Sequence, residues 1–224
     1  KKRNITISTY SFFKKYRVKT MQVNDILLAV RSRLNDTDTK NYRWSDEELI
    51  DYINSSLADI SKELECFTHQ EHIYLNENED RYRLPHDILR VLSVTIDEKP
   101  ITIKGYEWVS KNKHNIYDLC AYFDEQSFFL YPISKFRDGQ KVKIDYKYIF
   151  QVEHKSDYIK ISKLAKKAIL FHTLHLSYQI NTSEKNAGKS THYLNLYDKE
   201  IATLKVIYFK NKHSKDIKQK FRKV

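Results

Sequence analysis

The chain has 224 residues, 41% of them hydrophobic, with three glycines, three prolines and a formal net charge of +11. That length and apolar content suffice for one buried core with appendages, and glycine and proline fall far below their average usage of roughly 7% and 5%, which excludes collagen-like and Pro/Gly-rich disordered classes. The charge is uneven: residues 1–20 carry seven Lys or Arg and no acid and residues 201–224 carry eight against Asp216, so each end holds +7 and residues 21–200 hold −3. A slightly acidic body argues against a fold with a broad DNA-gripping face.

Residues 1–20 form a basic N-terminal arm that reads as a tag remnant, a processed arm or a genuine extension, since the sequence starts at Lys1 and Met21 stands where the patterned part begins. Val23 to Asn35 reads as a helix, capped by Asn24 or Asp25, with Ile26, Val30 and Leu34 on one face. A polar loop, Asp36 to Arg43, ends it. Ser45 and Glu48 then make an S-x-x-E capping box, and Trp44 and Leu49 occupy the flanking staple positions. Ile50, Ile53, Leu57, Ile60 and Leu64 follow at spacings of one buried helix face, so this second helix is expected to run to about Glu65.

From Glu71 to Val152 the period becomes extended, with runs at His72–Leu75, Leu89–Ile96, Phe128–Tyr131 and Val142–Phe150. An antiparallel sheet is expected. In Lys141–Tyr148 charged and apolar residues alternate, which gives one packed and one solvated face, and Asp97 to Pro100 reads as a hairpin turn. After Ser162, which can cap, Leu164, Ala168, Phe171, His175 and Tyr178 share a stripe. Leu194, Tyr197, Ile201, Leu204 and Tyr208 make the last one, leading into a Lys-rich tail.

The expected fold class is α+β: a helical bundle of two N-terminal and two C-terminal helices with an inserted antiparallel β domain and extended basic termini. Its segments are the arm 1–20, N-terminal helices 21–70, a β domain 71–155, C-terminal helices 156–209 packing on the first pair, and a basic arm 210–224.

The chemistry-bearing residue types have plainer readings. Gly188, Lys189 and Ser190 imitate the end of a phosphate-binding loop, but the first glycine is replaced by Ser183 and two helices are expected to flank the segment rather than a strand and a helix. His172 with His175, and His69 with His72, are spaced for metal ligation but lack supporting ligands, so they read as packed residues. Asp46, Glu47 and Glu48 lie in a helix's first turn, where capping and the dipole favour carboxylates. Cys66 and Cys120 read as packed free thiols. No catalytic residues, metal site or cofactor are expected. No stretch approaches the roughly 20 apolar residues of a membrane span, and no secretory leader is signalled. The excess of tyrosine, seventeen residues, fits packing and subunit interfaces better than base stacking.

Leu34–Asp36 (L-N-D) and Arg43–Asn54 (R-W-S-D-E-E-L-I-D-Y-I-N) resemble phage head-to-tail adaptors, the head-completion or tail accessory proteins of short-tailed phages. The similarity continues through Tyr82–Ile88 (Y-R-L-P-H-D-I), Phe129–Pro132 (F-L-Y-P), the strand Lys141–Tyr148 and the two C-terminal helices, covering about residues 21–209. The resemblance implies a twelve-subunit ring beneath the portal, a virion protein of the head-tail junction made in the bacterial cytoplasm. Its implied role is to extend the channel through which genomic DNA passes without specific binding and to attach tail proteins. Its implied partners are the portal protein, a tail tube or nozzle protein and further copies of itself, with no membrane. C-terminal elements are implied to reach the portal, so Lys205, Tyr208, Lys210, Lys212, Lys215, Lys218, Lys220, Phe221, Arg222 and Lys223 are the expected docking residues, and both basic ends are expected to lie against a partner surface. The alternative is a nucleic-acid-binding protein that uses the arms as electrostatic clamps.

Overall fold

The structure, a computed structural model, describes residues 21–76, 79–84, 87–112, 119–124, 127–132, 138–179 and 184–213. It is mixed α+β, with five α-helices and mostly antiparallel sheets among the described residues. The chain divides into two units: one holds the residues up to Ser56 and from Gln151 onwards, the other runs Leu57–Phe150.

In the first unit, β1 (Met21–Gln22) pairs antiparallel with β10 (Tyr158–Ile159) and leads directly into α1 (Val23–Leu34). The expected side-chain cap at Asn24 or Asp25 is not what starts this helix. Gln22 is the cap residue and makes no side-chain cap bond. The N–H groups of Val23 and Asn24 instead donate to the carbonyls of Asp157 and Lys155, both at 3.0 Å. A neighbouring loop thus satisfies donors that would otherwise be orphaned at a helix start. The helix ends where Asn35 turns left-handed at φ 56°, a conformation that Asn adopts more readily than most side chains.

Helix α2 (Asp46–Leu64) carries the expected buried stripe of Ile50, Ile53, Leu57, Ile60 and Leu64. The division between the units falls inside it. In its first part, Asn54 Nδ2 donates to the Val152 carbonyl and Val152 N–H donates to Asn54 Oδ1, both at 2.9 Å. One side chain thereby satisfies both backbone groups of a buried loop residue.

Ser162 caps a 3-10 turn, Lys163–Ala165, which runs into α4 (Lys166–Gln179). The single stripe expected here is too narrow a reading. Leu164 lies in the 3-10 turn and is 57% exposed, whereas Ala168, Ile169, Leu170, Thr173, Leu174, Ser177 and Tyr178 are all buried. A helix buried nearly all round needs neighbours on several sides. Both α1 and α5 (Glu184–His213) pack on α4, and Ser56 of α2 lies 3.3 Å from Thr173, hydroxyl to hydroxyl. On α5, Tyr197, Ile201 and Leu204 are buried. The helix is longer than the last stripe implies and continues into the expected C-terminal arm as far as His213.

The second unit stacks two sheets. One has the order β2 (Thr68–Tyr74), β9 (Lys141–Tyr148), β4 (Ile88–Ile96), β5 (Lys99–Pro100). The other has the order β3 (Arg81–Arg83), β8 (Ser127–Tyr131), β7 (Cys120–Asp124), β6 (Thr102–Ile103). Tyr82, Phe128 and Leu130 from one sheet and Val94, Val142, Ile144 and Tyr146 from the other share a single buried cluster, as expected of face-to-face packing. The alternation in β9 holds, with Val142, Ile144 and Tyr146 fully buried. The β4–β5 hairpin turns at Asp97 and Glu98, both with positive φ, the backbone that matches strand twist in a two-residue hairpin.

The antiparallel expectation fails at one pair: β6 and β7 run parallel. Their connection contains α3 (Tyr106–Asn112), the kind of crossover that a parallel pair requires. The expected arms at 1–20 and from 214 onwards lie outside the described residues.

Replacing Asn54 with Ala leaves both Val152 backbone groups without their partner. The expected cost is about 1–3 kcal/mol, read as a lower urea midpoint with an unchanged slope.

Candidate functional site

The two segments that carry the family resemblance, Leu34–Asp36 and Arg43–Asn54, meet around one side chain that neither contains. Arg31, on the last turn of α1, is 3% exposed. Its Nη1 donates to Asp36 Oδ2 at 2.6 Å, and its Nη2 donates to the Trp44 carbonyl at 3.0 Å and to Asp46 Oδ1 at 2.7 Å. Asp36 uses its other oxygen to accept the Arg43 N–H at 2.8 Å. Lys155 Nζ reaches Asp46 Oδ2 at 3.2 Å. The guanidinium carbon stands 3.6 Å from the Tyr42 ring centroid, and Arg43 lies over Trp44.

The geometry follows from local chemistry. The left-handed Asn35 turns the chain so that Asp36 N–H returns to the Arg31 carbonyl at 2.9 Å, which brings the Asp36 carboxylate back beside the helix it has just left. A planar guanidinium with five fixed donors can then bind two carboxylates and a carbonyl at once. At the start of α2, Ser45 N–H donates to Glu48 Oε2 at 2.8 Å and Glu48 N–H donates to Ser45 Oγ at 3.1 Å. Trp44 and Leu49, on either side of this box, are both buried. The loop 35–45 is therefore held at its start by Arg31–Asp36, at its end by Arg31–Trp44, and onto α2 by Asp46.

The acidic run is thus not explained by capping and dipole alone. Glu48 caps, Glu47 is exposed, and Asp46 is an ion-pair partner. The hydrogen bond from Arg31 holds the Asp46 carboxyl below its ordinary value against the opposing effect of burial, and Lys155 adds to the lowering. Arg31 and Lys155 were not singled out from sequence. A signal existed for the first: an arginine on the apolar side of α1, one residue after Val30, is out of place unless acids converge on it.

The other sequence candidates fall in packed settings. Gly188, Lys189 and Ser190 do not connect two helices but lie within α5 near its start, where the helix's own ladder engages backbone N–H groups that a phosphate would need. Ser190 Oγ lies 2.9 Å from His175 Nδ1 and donates to the His175 carbonyl at 3.2 Å. Lys189 stands over the Tyr178 ring. His172 faces the Ser56 hydroxyl at 3.2 Å and stacks on Tyr197. In the second unit His69 pairs with Glu71 at 3.2 Å, and His72 is exposed on β2. Cys120 is buried in β7, and burial pushes the Cys66 thiol up to about 12. Among the described residues no three metal-ligating side chains converge, and no helix is long and apolar enough to cross a membrane.

Of the expected docking residues, Lys205 and Tyr208 are half-buried on α5. Lys210 and Lys212 belong to the final turns of that helix. Lys215, Lys218, Lys220, Phe221, Arg222 and Lys223 lie outside the described residues.

Arg31→Met strands the Asp36 carboxylate, 7% exposed, without its cation. The expected loss is about 3–5 kcal/mol, measured by chemical denaturation. A second test concerns pH. Because the folded-state pKa of Asp46 lies below its unfolded value near about 3.9, its contribution is present above that value and is lost as pH falls through the folded pKa. Stability should drop below about pH 4, and Asp46→Asn should flatten that drop while lowering stability at neutral pH.

The family model described as SU10 adaptor protein matches residues 21–216. No curated protein matches the chain. The matched region takes in every described element, from the β1–β10 bridge through the Arg31 junction and both stacked sheets to the end of α5. The chain belongs to the SU10 adaptor protein family and is a phage structural adaptor.

Proposed function

We propose that this adaptor forms a ring of identical subunits under the portal, extends the DNA channel and gives tail proteins their attachment site. The family match over residues 21–216 carries the reading, and it makes the protein a virion component that acts among other virion proteins. In this reading the two N-terminal and two C-terminal helices form the bundle that packs side by side around the ring. The β domain is inserted between the pairs, and the basic segment from Lys205 onwards docks on the portal. The charge distribution supports it: a body at −3 between ends at +7 each suits a conduit, because a strongly basic lumen would retain DNA by releasing counterions on contact.

The same ends support a second reading, a nucleic-acid clamp. Salt separates the two. Non-specific DNA binding through the arms falls by orders of magnitude from low to physiological salt, whereas a portal interface built on packed helices changes far less.

Purified protein, alone or mixed with portal protein, should form rings visible by electron microscopy. Truncation after Tyr208 should weaken portal binding and leave thermal stability of the body unchanged. Particles that show neither a ring nor portal contact would contradict the reading.

A further inference from the structure

The sheet edges of the second unit are unequal. Three of the four edge strands, β5, β3 and β6, are two or three residues long, and β5 carries Pro100. Short length and proline are the usual protections of a sheet edge against unwanted pairing. The fourth, β2, is seven residues long, T-H-Q-E-H-I-Y, with no Pro, Gly or Lys.

Its register shows which groups are open. Phe67 accepts from Tyr148 N–H, and Leu75 donates to the Gln140 carbonyl. The odd-numbered residues between them therefore turn their backbone groups toward β9. The N–H and C=O groups of Thr68, Gln70, His72 and Tyr74 point out of the sheet. The side chains of these four residues are exposed. Among the described residues no strand lies along that edge.

We infer that the outer edge of β2 receives residues 4–13 of a neighbouring copy as an added strand. This rests on the ring reading above, since it needs a second copy. The segment N-I-T-I-S-T-Y-S-F-F contains no charge, glycine or proline and is dense in the β-branched and aromatic residues that favour strands. It is long enough to span the seven residues of β2. The flanks are of opposite sign in sequence: Lys1, Lys2 and Arg3 precede the segment and Lys14, Lys15 and Arg17 follow it, while Glu63 precedes β2 and Glu79 and Asp80 follow it, with Lys62, Lys141 and Lys147 as the cations nearest the same ends. Backbone hydrogen bonds supply the affinity in strand addition, and flanking charge guides the segment onto this edge. Each copy has one donor segment and one β2 edge, so head-to-tail exchange around a closed ring fills every β2 edge.

The test mixes two full-length variants, Ser8→Cys and His72→Cys, under mild oxidation, with the wild-type chain as control for Cys66 and Cys120. A disulfide between the two variants is expected. Assemblies detected by light scattering that form no such link overturn the strand exchange while leaving the ring intact. A link found only inside single chains carrying both substitutions overturns the role of the neighbour. Absence of any assembly, alone or with portal protein, removes the ring reading and this inference together. Amide exchange gives an independent readout. Deleting residues 1–20, or making His72→Pro, should speed exchange at Thr68, Gln70 and Tyr74 on the order of tenfold or more. Proline at an outward-facing edge position leaves the β2–β9 ladder intact, so a folded His72→Pro protein with unchanged exchange at these amides would also overturn the inference.

Discussion

The guanidinium of Arg31 is the constraint on which the helical unit depends. It is buried, and it binds two carboxylates and one backbone carbonyl drawn from the end of α1, the loop 35–45 and the first turn of α2. Each of these could adopt other conformations alone. A polar loop of ten or so residues has no core of its own, and a capping box fixes only the helix it starts. A charge taken out of water must find its partners or cost several kcal/mol, so this side chain admits very few arrangements of the segments around it. Such a network adds little net stability over an apolar replacement of the same volume. What it supplies is a defined path for the chain between two helices, and Lys155 extends that path to the loop 153–157, which in turn caps α1.

The same logic explains why the family resemblance sits where it does. Asn35 provides the left-handed turn, Asp36 the inward carboxylate, Trp44 the carbonyl and a buried ring, Ser45 and Glu48 the reciprocal cap, and Asp46 the second carboxylate. Asn54, last in the segment, fastens Val152. Each of these residues has a structural partner, and together they set the backbone of the helical unit of this adaptor.

Much of this was legible in the sequence, and the losses have identifiable causes. The stripe of α2, the alternation of β9 and the hairpin at Asp97–Glu98 are local patterns, and each appears where periodicity or turn chemistry puts it. The start of α1 is not legible locally because its caps are the Asp157 and Lys155 carbonyls, far downstream, and no local pattern records a long-range bond. The breadth of burial on α4 goes beyond the one stripe: Ile169, Leu170 and Leu174 fall outside it, and His172, Thr173 and Ser177 are polar by type, yet are buried by bonding to their own helix and to Ser56. The parallel β6–β7 pair is hidden in the sequence because β6 has only two residues, too short to carry a period. At the site, the acids form a conspicuous run in the sequence, and their cation, Arg31, lies outside it.

In the proposed function the chain is a repeated component of the channel between head and tail, with its +7 ends serving attachment rather than genome binding. A reconstruction of the assembled virion tests this most directly. The account predicts density for the five helices and the two stacked sheets repeated with rotational symmetry around the DNA channel at the head-tail junction. A virion with that junction filled by other chains, and this one found on packaged DNA or absent from the particle, would contradict it.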